Sequence, residues 1–565
     1  MYLLCIVYYR VLPASKAADG RSPRVGCENL SGGLTSRGEP RAAAAITRLE
    51  IILVIAIDGL YIPCSETAHV KTAITKGIPH MYTHDIVVIG GGAGGLSVAS
   101  GCAQLGLKTA LVEREHMGGD CLHFGCVPSK SLIHVASEFA AARRLSGYTR
   151  GDFTVPPPDM QAINKQIAAV IAAIAYHDSP ERFRSLGADV YLSAAQFRNE
   201  HEVETGGTVL SAKRIVVATG SRAAVPSIPG LAEAGYLTNR DVFSLPQLPS
   251  SLAIMGAGPI GVELGQAFRR LGVEVTIIDK AARILPRDDA EVARFVAKKL
   301  EAEGIQIVTE AAVEGVSQSA DAKVLTLRKG NKLDTVEASE ILVAAGRRAN
   351  TDELNLERAS VEIGPRGVIP VNDKLQSNVA HISVIGDANG NYPFTHVAGA
   401  EAALLVRRLA LHAGGRINYR TVPWVSYTDP ELANVGHSET SAAAAEISAR
   451  VVRQSFAGVD RAHAETATDG ILKIVLDKRD KVIGVQIAAR GAGELLGPAL
   501  FAVRHRWKLA KFRDALTPYP TMSEVYGRAV SSELAAKLFN PTVRKILRGL
   551  FRYRGLGPQP STEVA

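Results

Sequence analysis

From Asp85 onward, short apolar runs that read as buried strands alternate with Ala-rich stretches at helical spacing, the pattern of an α/β protein with parallel sheets. The run Ile86-Val87-Val88-Ile89 is predicted to be a buried strand. Gly90-Gly91-Gly92-Ala93-Gly94-Gly95 and an Ala/Leu helix to Gly106 follow it. Leu252-Ala253-Ile254-Met255, followed by Gly256-Ala257-Gly258-Pro259-Ile260-Gly261, repeats the design. The pattern thus predicts two copies of one Rossmann-like dinucleotide-binding unit. After Arg420 the character changes to short alternating strands, such as Leu472-Lys473-Ile474-Val475-Leu476 and Val482-Ile483-Gly484-Val485, which predict a C-terminal α+β domain. From Val543 to Arg554 a basic stretch carries apolar residues at helical spacing. It is expected to be a helix packed on the body or solvated, rather than one resting on an anionic membrane surface.

Residues 1 to 83 show no sustained periodicity, and a strand begins abruptly after Met81. They read as a disordered extension or an early-assigned start. The apolar stretch from Ile51 to Pro63 contains Asp58 and falls short of the roughly 20 apolar residues that cross a bilayer. No transmembrane span is expected.

The chain has 565 residues, 47% of them apolar, enough for two to four domains. Its net charge of +8 is concentrated at the ends: residues 1 to 83 contribute +3 and residues 541 to 565 contribute +4, leaving +1 for the body. A nearly neutral body without a basic, aromatic-interleaved stripe argues against nucleic-acid binding. Six unevenly spaced cysteines do not make a secreted disulfide scaffold, and a reducing, cytoplasmic setting fits them better.

Each glycine cluster is followed, 23 residues from its first Gly, by an acidic residue ending the next strand: Gly90 to Glu113, and Gly256 to Asp279. Gly90, Gly92 and Gly95, and likewise Gly256, Gly258 and Gly261, let the backbone approach a pyrophosphate at a helix N-terminus. The carboxylate accepts hydrogen bonds from a ribose. Two dinucleotides are implied. Asp279 favours NADH over NADPH, which Lys280 and Arg283 would help to admit.

Between the two copies lies Gly118-Gly119-Asp120-Cys121-Leu122-His123-Phe124-Gly125-Cys126-Val127-Pro128-Ser129-Lys130. Two thiols separated by four residues at a helix start can approach disulfide distance, and the helix N-terminus stabilises a thiolate at the second. With no second Cys pair, a zinc site is not expected, and no metal ligands are assigned.

These motifs, with Ala218-Thr219-Gly220, Gly346-Arg347-Arg348-Ala349-Asn350, Gly386-Asp387 and Pro520-Thr521-Met522-Ser523-Glu524, resemble the class I pyridine nucleotide-disulfide oxidoreductases. That is the family of dihydrolipoamide dehydrogenase, glutathione reductase and mercuric reductase. The resemblance runs from about Tyr82 to about Asn540, in the family's order. It implies an FAD-binding domain in residues 84 to 230 completed by a central segment from 346 to 419. An NAD(P)-binding domain at 231 to 345, a dimerisation domain at 420 to 540 and a basic tail at 541 to 565 complete the chain. By the same resemblance Cys126 forms the charge-transfer complex with flavin and Cys121 is the interchange thiol. Lys130 sits by flavin N5 paired with Glu263, Asp387 holds the ribityl chain, and Ala218, Thr219, Gly220 and Gly346 line the cofactor sites.

Disulfide reductases of this family usually carry His-Pro-Thr near the C-terminus, the His acting as base to the partner subunit's interchange thiol. Here Tyr519 takes that place, with Glu524 five residues on. A phenol with a pKa near 10 does not accept a proton at pH 7 as an imidazole does, and losing a general base costs about 10²- to 10⁴-fold. A tyrosine in this neighbourhood is a feature of mercuric reductase. Yet no Cys follows Cys126, so the vicinal pair that delivers mercury is missing, and Cys64 lacks a CxxC partner. His123 and Ala349 stand where the family usually has Asn and Pro. His123 is read as a packed loop histidine rather than a thiolate activator.

The expectation is therefore a homodimeric, FAD-dependent NAD(P)H oxidoreductase, mercuric-reductase-like, reducing a disulfide or a soft metal ion. Alternatives are a dihydrolipoyl dehydrogenase, a diaphorase or quinone reductase, and a non-enzymatic flavin redox sensor.

Overall fold

The computed structural model describes residues 82–151, 153–319 and 321–554. It also describes three antiparallel strands in the N-terminal unit, Ile6–Tyr9, Ile51–Ile57 and Leu60–Pro63. The rest of residues 1 to 81, and so most of the extension read in residues 1 to 83, lies outside the described residues, as does the tail beyond Arg554. The chain divides into two units, Met1–Met81 and Tyr82–Ala565, and everything below concerns the second.

Strand β1 (His84–Ile89) lies between β2 (Thr109–Glu113) and β3 (Thr208–Val217), all parallel. Ile86, Val87 and Val88 are completely buried, because both faces of the sheet are covered, so the strand reads as an unbroken apolar run rather than an alternating one. Helix α1 (Ala93–Gln104) covers one face, and Gly101 lets helix Thr395–Ala410 approach: a Cβ there would lie 2.8 Å from Val406 Cγ2.

The second unit repeats this arrangement. Strand β4 (Ser251–Met255) pairs in parallel with β5 (Glu274–Ile278) and β6 (Glu340–Val343), with α2 (Pro259–Arg270) as the crossover helix. The chain leaves the first domain along Ser221–Ala223 and returns along Arg347–Ala349. These segments pair antiparallel, Ser221 opposite Ala349. Ile382–Val384 then adds to β3 in parallel, so a distant segment completes the first sheet.

The C-terminal part is a five-stranded antiparallel sheet with helices against it. The alternation read in Leu472–Leu476 does not give a solvated face. Lys473 is only 1% exposed, with Nζ 2.8 Å from both carboxylate oxygens of Asp289 and 2.9 Å from Glu291 Oε2. Helix Ala290–Ala302 of the second unit covers that face, and the lysine is buried because it is paired.

Candidate active site

Both glycine turns have the same construction. Gly90 has φ +110° and Gly256 φ +119°, and a Cβ on either would lie 2.3 Å from a carbonyl oxygen, that of Ala218 or of Ala344. A Cβ on Gly95 or Gly261 would lie 1.9 Å from the carbonyl oxygen of Gly90 or Gly256. Gly92 and Gly258, in contrast, face open space, Gly92 having only Gly119 Cα at 3.9 Å. Neither α1 nor α2 has a side-chain N-cap, so their first amides remain for a ligand. Glu113 accepts from the amides of Gly91 (2.6 Å) and Glu115 (2.7 Å), and Asp279 from those of Ala257 (2.7 Å) and Ala281 (2.8 Å). Beside the first turn, the buried Thr219 Oγ1 has no hydrogen-bond partner. Gly220 (φ +69°) and Gly346 (φ +122°) are both open on their Cβ side. An orphaned hydroxyl, an open glycine face and uncapped amides fit the dinucleotide that the sequence implies.

Cys121 lies in the short helix Gly119–His123, and Cys126 is the first residue of α3 (Cys126–Leu145). Gly125 permits the tight passage between them, since a Cβ there would lie 2.9 Å from Asp120 O. Both thiols are free. Cys126 is pushed down to about 6 by the hydrogen bond from Cys121 and by the positive charge of Lys130. Cys121 is pushed up by donating that bond and by burial. Thr395 Oγ1 donates to Cys121 Sγ at 3.1 Å. The pair is therefore asymmetric, with the negative charge at the helix N-terminus.

One turn along α3 from Cys126, Lys130 Nζ lies 2.6 Å from Glu263 Oε2. Glu263 is 6% exposed, and its other oxygen accepts from the Tyr427 amide at 2.9 Å. The Lys130 ammonium stands 4.4 Å from the centre of the Tyr427 ring. Asp387 accepts from Ser221 Oγ and lies 3.5 Å from Arg347 Nε, while Arg347 Nη2 donates to Asp120 Oδ2 at 2.7 Å. Beneath it, the amide of Gly386 donates to the wholly buried Glu401 at 2.7 Å.

Tyr519 and Glu524 are not joined to the thiols within the chain. Tyr519 is 70% exposed and donates to Asp460 Oδ2 at 3.0 Å, and that carboxylate raises the phenol's pKa further. Glu524 opens the helix Glu524–Leu538 and accepts from the Thr521 amide at 3.4 Å. His123 hydrogen-bonds Met117 O at 2.9 Å and packs beside His116 and Phe124. Ala349 is buried in the ribbon. Among the described residues, no cluster of three His, Cys, Asp or Glu side chains could hold a metal ion. Sequence reasoning missed Thr395 and Tyr427, which reach the site only through tertiary folding. Asp120, Arg347 and Ser221 stood within or next to quoted motifs as possible signals.

Two dinucleotide cradles flanking an asymmetric thiol pair define a flavin- and nicotinamide-type dithiol oxidoreductase. Residues 84–402 match the pyridine nucleotide-disulphide oxidoreductase family and residues 422–530 its dimerisation domain, and the chain belongs to this family. It is 32% identical over 477 residues to a mercuric reductase of Bacillus cereus, covering 84% of this chain and 74% of that protein. It is 34% identical over 462 residues to mitochondrial dihydrolipoyl dehydrogenase 1 of Arabidopsis thaliana, covering 79% and 89%. Among solved structures, the HOCl-induced flavoprotein disulfide reductase RclA from Escherichia coli superposes with a TM-score of 0.70 at 27% identity, covering 79% of this chain and 99% of that one. A Cu(II) complex of RclA matches equally, with a TM-score of 0.70 at 26% identity, covering 79% of this chain and 99% of that one. Members of the family are FAD-binding enzymes that use pyridine nucleotides, and the dimerisation domain supports self-association. No helix among the described residues is long and apolar enough to cross a membrane.

Proposed function

We propose that the protein is an NADH-dependent flavoprotein reductase that delivers electrons through Cys121 and Cys126 to a small disulfide or a thiol-bound metal ion in a reducing, cytoplasmic setting. The observation that carries this reading is the asymmetry of the thiol pair beside the Lys130–Glu263 ion pair. FAD, when bound, supplies hydride acceptance from the nicotinamide and a two-electron link to the dithiol. Gly90, Gly92, Gly95, Glu113, Thr219 and Asp387 would hold it. Gly256, Gly258, Gly261 and Asp279 would hold the nicotinamide nucleotide.

Lys130 keeps Cys126 ionised and is itself oriented by Glu263, which Tyr427 fixes from the C-terminal domain. Cys121 keeps its proton in the resting dithiol. On giving it up it attacks one sulfur of a disulfide, the other sulfur leaving with the bonding pair, and Cys126 then displaces the bound half as the Cys121-Cys126 disulfide closes. A metal ion would instead be ligated by the two sulfurs. Metal reduction is favoured over rapid disulfide turnover because the residue at the base position, Tyr519, is a phenol held protonated next to Asp460. The similarity to mercuric reductase supports the same choice, whereas RclA is described as a disulfide reductase and the dihydrolipoyl dehydrogenase relative is 34% identical.

The deciding experiment is anaerobic titration with NADH, and separately NADPH, while following flavin absorbance and the long-wavelength thiolate-to-flavin band. Bleaching by NADH and a band that disappears in Cys126→Ser are expected. Negligible turnover with every acceptor, or NADH oxidation by small acceptors that is untouched by Cys121→Ser, would replace this reading with a flavin redox sensor or a diaphorase respectively, and a colourless protein would overturn it.

A further inference from the structure

The helix Pro541–Phe551 buries none of its residues, so of the packed or solvated helix expected it is the solvated one. Val543, Ile546, Leu547, Leu550 and Phe551 recur at helical spacing along one side, and Leu550 is 71% and Phe551 57% exposed. Tyr553 beyond it, and Leu538 and Phe539 before it, are exposed as well. From Leu534 to Arg554 the chain carries six bases, Lys537, Arg544, Lys545, Arg548, Arg552 and Arg554, and not one acidic residue.

We infer that this helix is a docking surface for an anionic lipid bilayer, lying in the plane of the headgroups. An apolar stripe whose own segment carries only cations, of which Lys537 lies 3.9 Å from Asp480 Oδ2, complements a negatively charged interface, with Arg552 and Arg554 reaching phosphates while the stripe enters the acyl boundary. Its 11 residues span about 16 Å, half of the hydrocarbon thickness, so it rests on the membrane and does not cross it. A second copy is the poorer occupant. The helix lies beyond residue 530, where the match to the dimerisation domain ends, and pairing this face with itself would oppose cation to cation.

The test is co-sedimentation of the full-length flavoprotein with vesicles of phosphatidylcholine alone and with about one-third phosphatidylglycerol added. Partitioning onto the anionic vesicles is expected to be at least about 10-fold higher and to weaken with salt. Leu550→Glu/Phe551→Glu is expected to abolish it, and Arg552→Gln/Arg554→Gln to reduce it about 10-fold or more, with flavin content and melting temperature unchanged. Equal distribution between the two vesicle types overturns the proposal. So does a drop in oligomer size in Leu550→Glu/Phe551→Glu when the natural protein ignores vesicles, which would assign the face to a second copy.

Discussion

In the first nucleotide-binding unit, α1 buries Gly94, Gly95, Leu96, Val98, Ala99 and Cys102, all small or apolar, against the helix Thr395–Ala410. In the second, α2 buries Glu263, Gln266 and Arg270 along with its apolar residues. Glu263 reaches Lys130 on α3, Gln266 donates to Asp429 O at 2.9 Å, and Arg270 pairs with Glu303 at 2.7 Å and Asp429 at 2.8 Å. The turns themselves match to within 0.1 Å in their closest approaches. One cradle was thus used twice, and the difference lies in the helix behind it. The first helix only supports its turn, whereas the second also carries a buried carboxylate to the redox centre.

The largest expected effects test whether the two cradles are independent. Gly95→Ala places a Cβ 1.9 Å from Gly90 O, which no rotamer relieves, so the protein should purify nearly colourless. Gly261→Ala makes the same clash with Gly256 O but should keep its flavin while losing about 100-fold or more in kcat/KM for NADH. Flavin absorbance per protein and steady-state kinetics measure both. Flavin loss in both variants would mean that the units stand or fall together.

The thiol pair also carries a large effect, confined to the later half of the reaction. Cys126→Ser should cost about 10³-fold or more in disulfide or metal reduction and leave flavin reduction by NADH intact. Because the Cys126 thiol is pushed down to about 6 by its hydrogen bond from Cys121 and by Lys130, the long-wavelength band of the reduced protein is expected to be full well above that pH and to fade as pH falls through it. Lys130→Met should move the midpoint upward. A band that survives in Cys126→Ser would show that this thiolate is not the donor.

The glycine turns, their acidic residues and the thiol motif were legible because each is a local arrangement whose spacing carries its geometry. The burial of Lys473 was not, because its partners, Asp289, Glu291 and Glu439, lie outside its own strand, and alternation alone does not reveal a second covering layer. Thr395 and Tyr427 escaped for the same reason: Thr395 meets Cys121 from the returning segment of the same domain, 274 residues on, and Tyr427 meets Lys130 from the C-terminal domain. Tyr519 was legible as a departure. Its hydrogen bond to Asp460 was not.

A smaller effect is expected at Tyr519. Tyr519→His should raise kcat/KM for lipoamide, by less than the ~10²-fold of a full base, because Glu524 is in place five residues on but Asp460 competes for the new imidazole. Tyr519→Phe should chiefly weaken reduction of thiol-bound mercuric or cupric ions, since it removes only the hydroxyl. Natural lipoamide turnover near 10⁶ M⁻¹s⁻¹ in order of magnitude would defeat the argument from the missing base.

The smallest effect returns to the two cradles and the acidic residue that closes each. Glu113 and Asp279 both accept two backbone amides, and cations follow each: Arg114, paired with Glu353 at 3.0 Å, after the first, and Lys280 and Arg283 after the second. Arg283 is already committed: its guanidinium donates to the carbonyls of Ile284, Leu285, Pro286 and Asp288, at 3.3, 2.7, 2.9 and 2.6 Å. Swinging it toward a phosphate would leave those carbonyls without its donors, whereas Asp279 repels a phosphate where it stands. NADH should therefore be preferred in the natural protein. Asp279→Ser should narrow the NADH-to-NADPH ratio of kcat/KM by about 10-fold, the worth of one charge-assisted hydrogen bond at ~1.4 kcal/mol. Arg283→Ala should leave that ratio unchanged, and a collapse of NADPH use in this variant would show that the arginine does turn outward to the nucleotide.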